Sequence, residues 1–208
     1  MTAVAAKDTR NEDKHRAILR AAEELFMQNG YATTSMDAIA DHAGVSKQTI
    51  YAHFQNKENL FVGMMEGMCC RYGYPMECML GEAQAGKSPA DTLSALGMQK
   101  LRLIALPDAM GLFRLVISES TRNPELGRIF YEQGPKFTNK LLSDLLDAYV
   151  KAGTLKISNT SAAAETFYAM LCQPLHLKLM IGVDVDTSEK ALKQHLDEVV
   201  TRFIKAYS

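Results

Sequence analysis

A glycine set between two short runs of helix-spaced apolar residues constrains this chain more than any other feature. Gly44 follows Ile39, Ala40 and Ala43 and precedes Val45, Ile50 and Phe54, inside the stretch from Thr34 to Lys57. Spacings of three and four place the first three on one helical face, and Ile50 and Phe54 lie one turn apart on another. Thr34, with Asp37 three residues on, predicts the capped start of the first helix. Gly44 supplies the left-handed backbone that ends it, and Val45 plugs the angle between the two. Ser46 restarts the chain, its hydroxyl placed to cap the amides of Gln48 and Thr49. Lys47, Gln48, Thr49, Tyr51 and His53 are left on the outer face of the second helix.

Helix, glycine turn, helix is the arrangement in which the second helix enters the major groove of DNA. The run from Gly30-Tyr31 through Ala43-Gly44-Val45-Ser46, Tyr51, His53-Phe54 and Lys57 resembles the DNA-binding domain of TetR-family bacterial regulators. The resemblance implies that Lys47, Gln48, Thr49, Tyr51 and His53, with Thr34 at the first helix, meet bases and phosphates, and that Lys57 holds a phosphate. It also implies a head over residues 1–56, a body over 57–208 for ligand binding and dimerisation, and a fourth helix linking the two. Leu112 to Pro135, with Phe113-Arg114, Glu119, Asn123-Pro124-Glu125-Leu126 and Phe130-Tyr131, further resembles AcrR-like and AefR-like bodies. Gly73 and Pro75 depart from that pattern, falling where the linking helix continues in the family.

Along the rest of the chain the helical period dominates. Residues 1–10 read as a flexible arm, and Ile18, Ala22, Leu25 and Phe26 mark a first helix closed by Gly30. Asn56 caps a helix striped by Phe61, Met64, Met65, Met68, Cys69 and Tyr72. Gly81 to Pro89 reads as a loop, with Ser88-Pro89 opening a helix that ends at Pro107. Gly134-Pro135 predicts a break, and Pro174 a kink in a long helix apolar nearly all round. The last helix carries one stripe: Leu192, His195, Leu196, Val199, Val200 and Phe203. No strand pattern appears, so the expected fold is all-α, a three-helix helix-turn-helix head on a helical body.

The composition is that of a globular protein: 208 residues, 47% hydrophobic and 23% charged, with 12 Met and no Trp. No apolar run is long enough for a membrane span and no signal segment is visible, which predicts a cytoplasmic protein without membrane contact. Net charge is −1, and residues 1–60 hold seven Lys and Arg against eight Asp and Glu. A head so balanced predicts modest nonspecific DNA affinity, with Lys7, Arg10, Lys47 and Lys57 placed to approach phosphates. Cys69, Cys70, Cys78 and Cys172 lack paired zinc spacings, and as small apolar fillers of a helix they need no redox role.

No phosphate-cradling loop, metal-binding histidine pair or serine elbow is present, which argues against an enzyme and against a metal or cofactor. The body, about 150 residues rich in Met, Phe, Tyr and Leu, exceeds what a head needs for stability and predicts a cavity for a small lipophilic or aromatic effector. Its expected lining is Met64, Met68, Met98, Leu101, Met110, Phe113, Ile117, Phe137, Leu141, Phe167, Met170 and Leu171. No cluster of buried charge points to an acidic ligand. Homodimerisation is expected through Leu175, Leu179, Leu192, Leu196, Val199 and Phe203 of the last two helices. The whole predicts a repressor released from double-stranded operator DNA when the effector moves the fourth helix; the alternative is a helical DNA-binding or protein-interaction module without a ligand.

Overall fold

The computed structural model describes residues 2–71 and 88–208, with side chains over 11–68 and 88–208. Among the described residues there are helices and no strand: α1 (Thr2–Asn29), α2 (Met36–His42), α3 (Lys47–Phe54), α4 (Lys57–Arg71), α5 (Pro89–Ala105), α6 (Pro107–Ser120), α7 (Pro124–Tyr131), a π-helical turn (Glu132–Lys136), α8 (Phe137–Lys151), α9 (Thr160–Met180) and α10 (Glu189–Tyr207). The all-α expectation holds. Helix α1 begins at Thr2, so the residues expected as an arm are helical; Ala3, Ala5 and Ala6 are the strongest helix formers available. Cys69, Cys70, Tyr72, Gly73, Pro75, Cys78 and the loop to Lys87 lie outside the described side chains.

Two compact units form. The first combines residues up to Met68 with Gly111–Phe130; the second combines Cys69–Met110 with Tyr131–Ser208. The boundary expected between 56 and 57 falls within the first unit. That unit is centred on Ile18, Phe26, Tyr31, Ile39, Ile50, Leu60 and Phe61, all buried. Phe26, Tyr31 and Phe61 meet edge to face or tilted at 5.1–6.2 Å, a geometry that aligns positive ring edges with negative faces.

In the second unit α5 packs against α9 and α10, and α8 against α9. Gly97 sets the closeness of the α5–α10 crossing: a Cβ there would stand 2.4 Å from Leu196 Cδ1 and 3.5 Å from Leu171. Arg102 of α5 grips Glu189 of α10 with two hydrogen bonds of 2.7 and 2.8 Å, and Phe203 meets Phe167 edge-on at 5.3 Å. The α10 stripe is thereby consumed within the chain. Leu175, Leu192, Leu196, Val199 and Phe203, expected at a dimer interface, are buried against their own chain and retain no area for a partner; Leu179 is half-buried. What α10 presents outward is a shallow charged surface, with Lys193–Asp197 and Glu198–Arg202 paired one turn apart.

The Gly134-Pro135 break does not occur. Pro135 lacks an N–H and its ring needs room at the preceding turn; widening that turn to π geometry over Glu132–Lys136 accommodates both and lets the helix run on into α8. Pro174 likewise sits inside a continuous α9.

Candidate nucleic-acid interface

Helices α1 to α3 position the outward face of α3. The α1–α2 loop turns on Gly30, at φ +86°, and is tied down by Thr34, whose hydroxyl lies 2.8 Å from the Gly30 carbonyl and 3.2 Å from that of Leu25. Thr34 is only 4% exposed. It was expected as a helix cap and a DNA contact, and its side chain can serve as neither, because it closes the C-terminal end of α1. Ser35 is the cap of α2, accepting the Ala38 amide at 3.1 Å.

Gly44, at φ +65°, makes the expected turn, with Val45 N–H donating to Ala40 at 3.0 Å. A side chain there would meet nothing within 4 Å, so the glycine serves backbone geometry alone. Ser46 caps α3 through the Thr49 amide at 3.1 Å, and its oxygen also lies 2.8 Å from the Thr49 hydroxyl. With Ile50 and Phe54 buried, Lys47, Gln48 and Tyr51 stand exposed on the outer face. His53 is half-buried beside His15, ring centroids 5.6 Å apart, and His15 stacks on Phe54 at 4.8 Å. Burial lowers the His53 pKa, and the neighbouring His15 and Lys14 lower it further, so the imidazole is neutral at pH 7.

The cations of this face already have partners. Lys47 Nζ donates to Asp37 of α2 at 2.5 Å, an exposed pair that raises the lysine pKa. Lys57 Nζ donates to the Ala32 carbonyl at 3.3 Å and lies 4.3 Å from the Tyr31 ring centroid. Burial lowers its pKa while the carboxylates of Glu58 and Glu119 oppose that shift. Glu119 comes from α6, its Oε2 accepting the Ala32 amide at 3.4 Å. A Cβ at Gly30 would fall 2.7 Å from Glu119 Oε1, so the glycine also clears space for this carboxylate. The sequence reading missed the Asp37 and Glu119 contacts; they join residues 10 and 87 positions apart, beyond any helical period.

The candidate effector lining does not assemble within either unit. Met64, Met68, Phe113 and Ile117 belong to the first and the other eight to the second. Ile117 and Phe137 are 48% and 43% exposed. Phe167 and Leu171 are fully buried in the packing of α9 on α10 and α5. Met98, Leu141 and Met170 remain half-buried.

Comparison with known proteins settles the family. Residues 18–64 match the domain described as bacterial regulatory proteins, tetR family, and residues 91–208 match the AefR-like transcriptional repressor, C-terminal domain. The chain belongs to the TetR family. A putative TetR-family regulator from Mesorhizobium loti superposes with TM-score 0.79 at 28% identity, over 96% of this chain and 98% of that one. The flavonoid-responsive regulator FrrA gives 0.73 at 32% identity, over 94% and 97%. The transcriptional activator FasR of Mycolicibacterium smegmatis is 40% identical over 55 residues, 26% of this chain and 25% of FasR. The chain thus spans a quarter of that relative, and 65% of the Bacillus subtilis regulator YerO. TetR-family regulators bind operator DNA and act as dimers. No helix among the described residues is long and apolar enough to cross a membrane.

Proposed function

We propose that this TetR-family chain is a repressor that binds double-stranded operator DNA as a homodimer and is released by a small lipophilic or aromatic effector. The observation that carries the reading is the capped, outward-facing α3, with Lys47, Gln48, Thr49, Tyr51 and His53 at its start and middle, in a chain whose larger part matches an AefR-like repressor body. Lys57, with one proton on Ala32, keeps others for a phosphate. The flavonoid response printed for FrrA supports a small-molecule effector. Partner contact falls to the outward face of α9, where Ala169, Gln173 and the half-exposed Leu177 follow at four-residue spacing, and to the charged face of α10. Helix α4, running from the head segment at Lys57 into the second unit's residues, is the element through which an effector would shift head spacing.

The test is selection of bound sites from a random duplex pool, followed by anisotropy titration and a reporter assay. Recovered sites should be inverted repeats with half-sites about one helical turn apart, or a multiple of that. Combined Lys47→Ala, Gln48→Ala and Tyr51→Ala should abolish selection. The printed role of FasR favours activation as a second reading; reporter output that rises with the regulator present would establish it.

A further inference from the structure

Within the second unit, four polar side chains from two packed helices gather where the sequence shows no motif. Tyr168, Cys172 and His176 recur every four residues along α9 and therefore share one face, flanking the buried row of Phe167, Leu171 and Leu175. Lys100 of α5 reaches toward this stripe, its ammonium 5.9 Å from the Tyr168 ring centroid. All four are half-buried, enclosed by packing yet reachable. The adjacent residue on α5, Gln99, has a buried side-chain oxygen with no hydrogen-bond partner, a loss rarely tolerated unless something else supplies the bond.

The electrostatics have one sign. Burial raises the Cys172 thiol, only partly opposed by Lys100, and it lowers His176, with Lys100 lowering it further. At neutral pH the thiol is protonated and the imidazole neutral, so the cluster offers one ammonium surrounded by neutral hydrogen-bonding groups. A protonated, buried thiol is a poor nucleophile, which argues against oxidant sensing at Cys172. An ammonium in a half-buried setting is matched by an anionic oxygen, whose charge-assisted bond strengthens as water is excluded.

We propose that Lys100, with His176 and Tyr168 beside it, anchors an acidic oxygen, phenolate or carboxylate, of an otherwise apolar effector. This rests on the reading of the chain as an effector-responsive regulator and narrows the effector's class, against the expectation that no charge cluster pointed to an acidic ligand.

The experiment uses the full chain and two matched pairs: 7-hydroxyflavone against 7-methoxyflavone, and dodecanoate against dodecanol. Calorimetry measures binding and anisotropy measures release of the selected DNA. In the unaltered protein the acidic member of at least one pair should bind about tenfold or more tighter than its neutral partner. The pair that discriminates tells phenolate from carboxylate. Lys100→Met, which keeps the aliphatic stem, should erase that preference while leaving DNA affinity without effector unchanged, and Lys100→Arg should retain part of it. Equal binding of acidic and neutral members in the unaltered protein overturns the anchor without recourse to any variant, as does a preference that survives Lys100→Met. Release by the neutral members alone overturns the anchor and leaves effector response standing. Tight DNA binding that no compound of either pair alters, with no calorimetric binding, overturns the anchor and counts against effector response together.

Discussion

The crossing of α5 and α10 offers a worked test of where the α10 stripe is spent. Leu196 is 2% exposed and its Cδ1 occupies the space that a Cβ on Gly97 would need, at 2.4 Å. Leu196→Ala should cost about 2–5 kcal/mol through lost burial and a residual cavity. Gly97→Ala in the parent gains about 1 kcal/mol of helix propensity and loses about 1–3 by overpacking, for a net loss of roughly 0–2. With Leu196 truncated the clash disappears. The new methyl then fills part of the cavity, so the double variant should be about 1–2 kcal/mol more stable than Leu196→Ala alone. The coupling is therefore roughly 2–3 kcal/mol, a size expected only of residues in direct contact. Urea unfolding followed by circular dichroism reads it, at one fixed protomer concentration because dimer dissociation enters the midpoint. If Gly97→Ala has the same effect in both backgrounds to within about 0.5 kcal/mol, the two side chains do not share this space and the intrachain account of the stripe is wrong. Sedimentation of folded Leu196→Ala should match the parent; a monomer there would return the residue to the dimer interface.

Thr34→Val removes the buried hydroxyl at constant shape and should lower stability by about 1–2 kcal/mol, with DNA affinity of the folded protein unchanged; anisotropy showing lost affinity without lost stability would restore Thr34 as a contact. Asp37→Asn frees Lys47 from its carboxylate and should tighten DNA binding at every sequence, whereas Lys47→Ala should reduce the slope of log affinity against log salt by about 0.9. Gln55, at φ +61° and ψ −48° between α3 and α4, occupies backbone space that disfavours side chains, so Gln55→Gly should raise the urea midpoint, by the equivalent of about 1 kcal/mol. His53 and His176 both have folded pKa values below 6.5. Acidification then protonates them first in the unfolded chain, so their contribution is complete above about pH 6.5–7 and declines as pH falls from there toward the folded pKa values. Unfolding midpoints from pH 8 to 5 should fall less steeply in the His53→Gln, His176→Gln double variant.

Local chemistry was legible and remote partnership was not. Gly44, Ser46, Asn56 and Ser88 announce their turn and caps because the bonds concerned span at most a few residues, and the structure contains each of them. Ser35 was misread for Thr34, since both are competent caps and only the burial of Thr34 against α1 separates them. The α10 stripe shows the larger limit: its period says that one face is buried, and nothing in a period says whether the partner is α5 of the same chain or a second copy. Gly97 was the available signal, a residue without side chain on the inward face of α5. The polar row on α9 was hidden differently, because three unlike residues at four-residue spacing acquire a meaning only when Lys100, far away in sequence, stands beside them.

The near-neutral head, read from composition as an argument against DNA, takes another sense once its contacts are known. Arg16 lies on Asp13 at 2.7 Å, His42 on Glu24 at 2.8 Å and Lys47 on Asp37 at 2.5 Å, so these groups face the protein's own carboxylates before any phosphate arrives. Under the proposed reading, binding exchanges one anion for another at Lys47, and the exchange is nearly balanced for a single contact. A random duplex that offers scattered phosphates therefore gains little. An operator that brings base edges to Gln48 and Tyr51 while phosphates meet Lys47 and Lys57 together gains the sum, because base contacts specify and phosphate contacts hold register. Self-pairing on the head thus lowers nonspecific affinity more than specific affinity, and it is the ratio of the two that locates a site among many competitors.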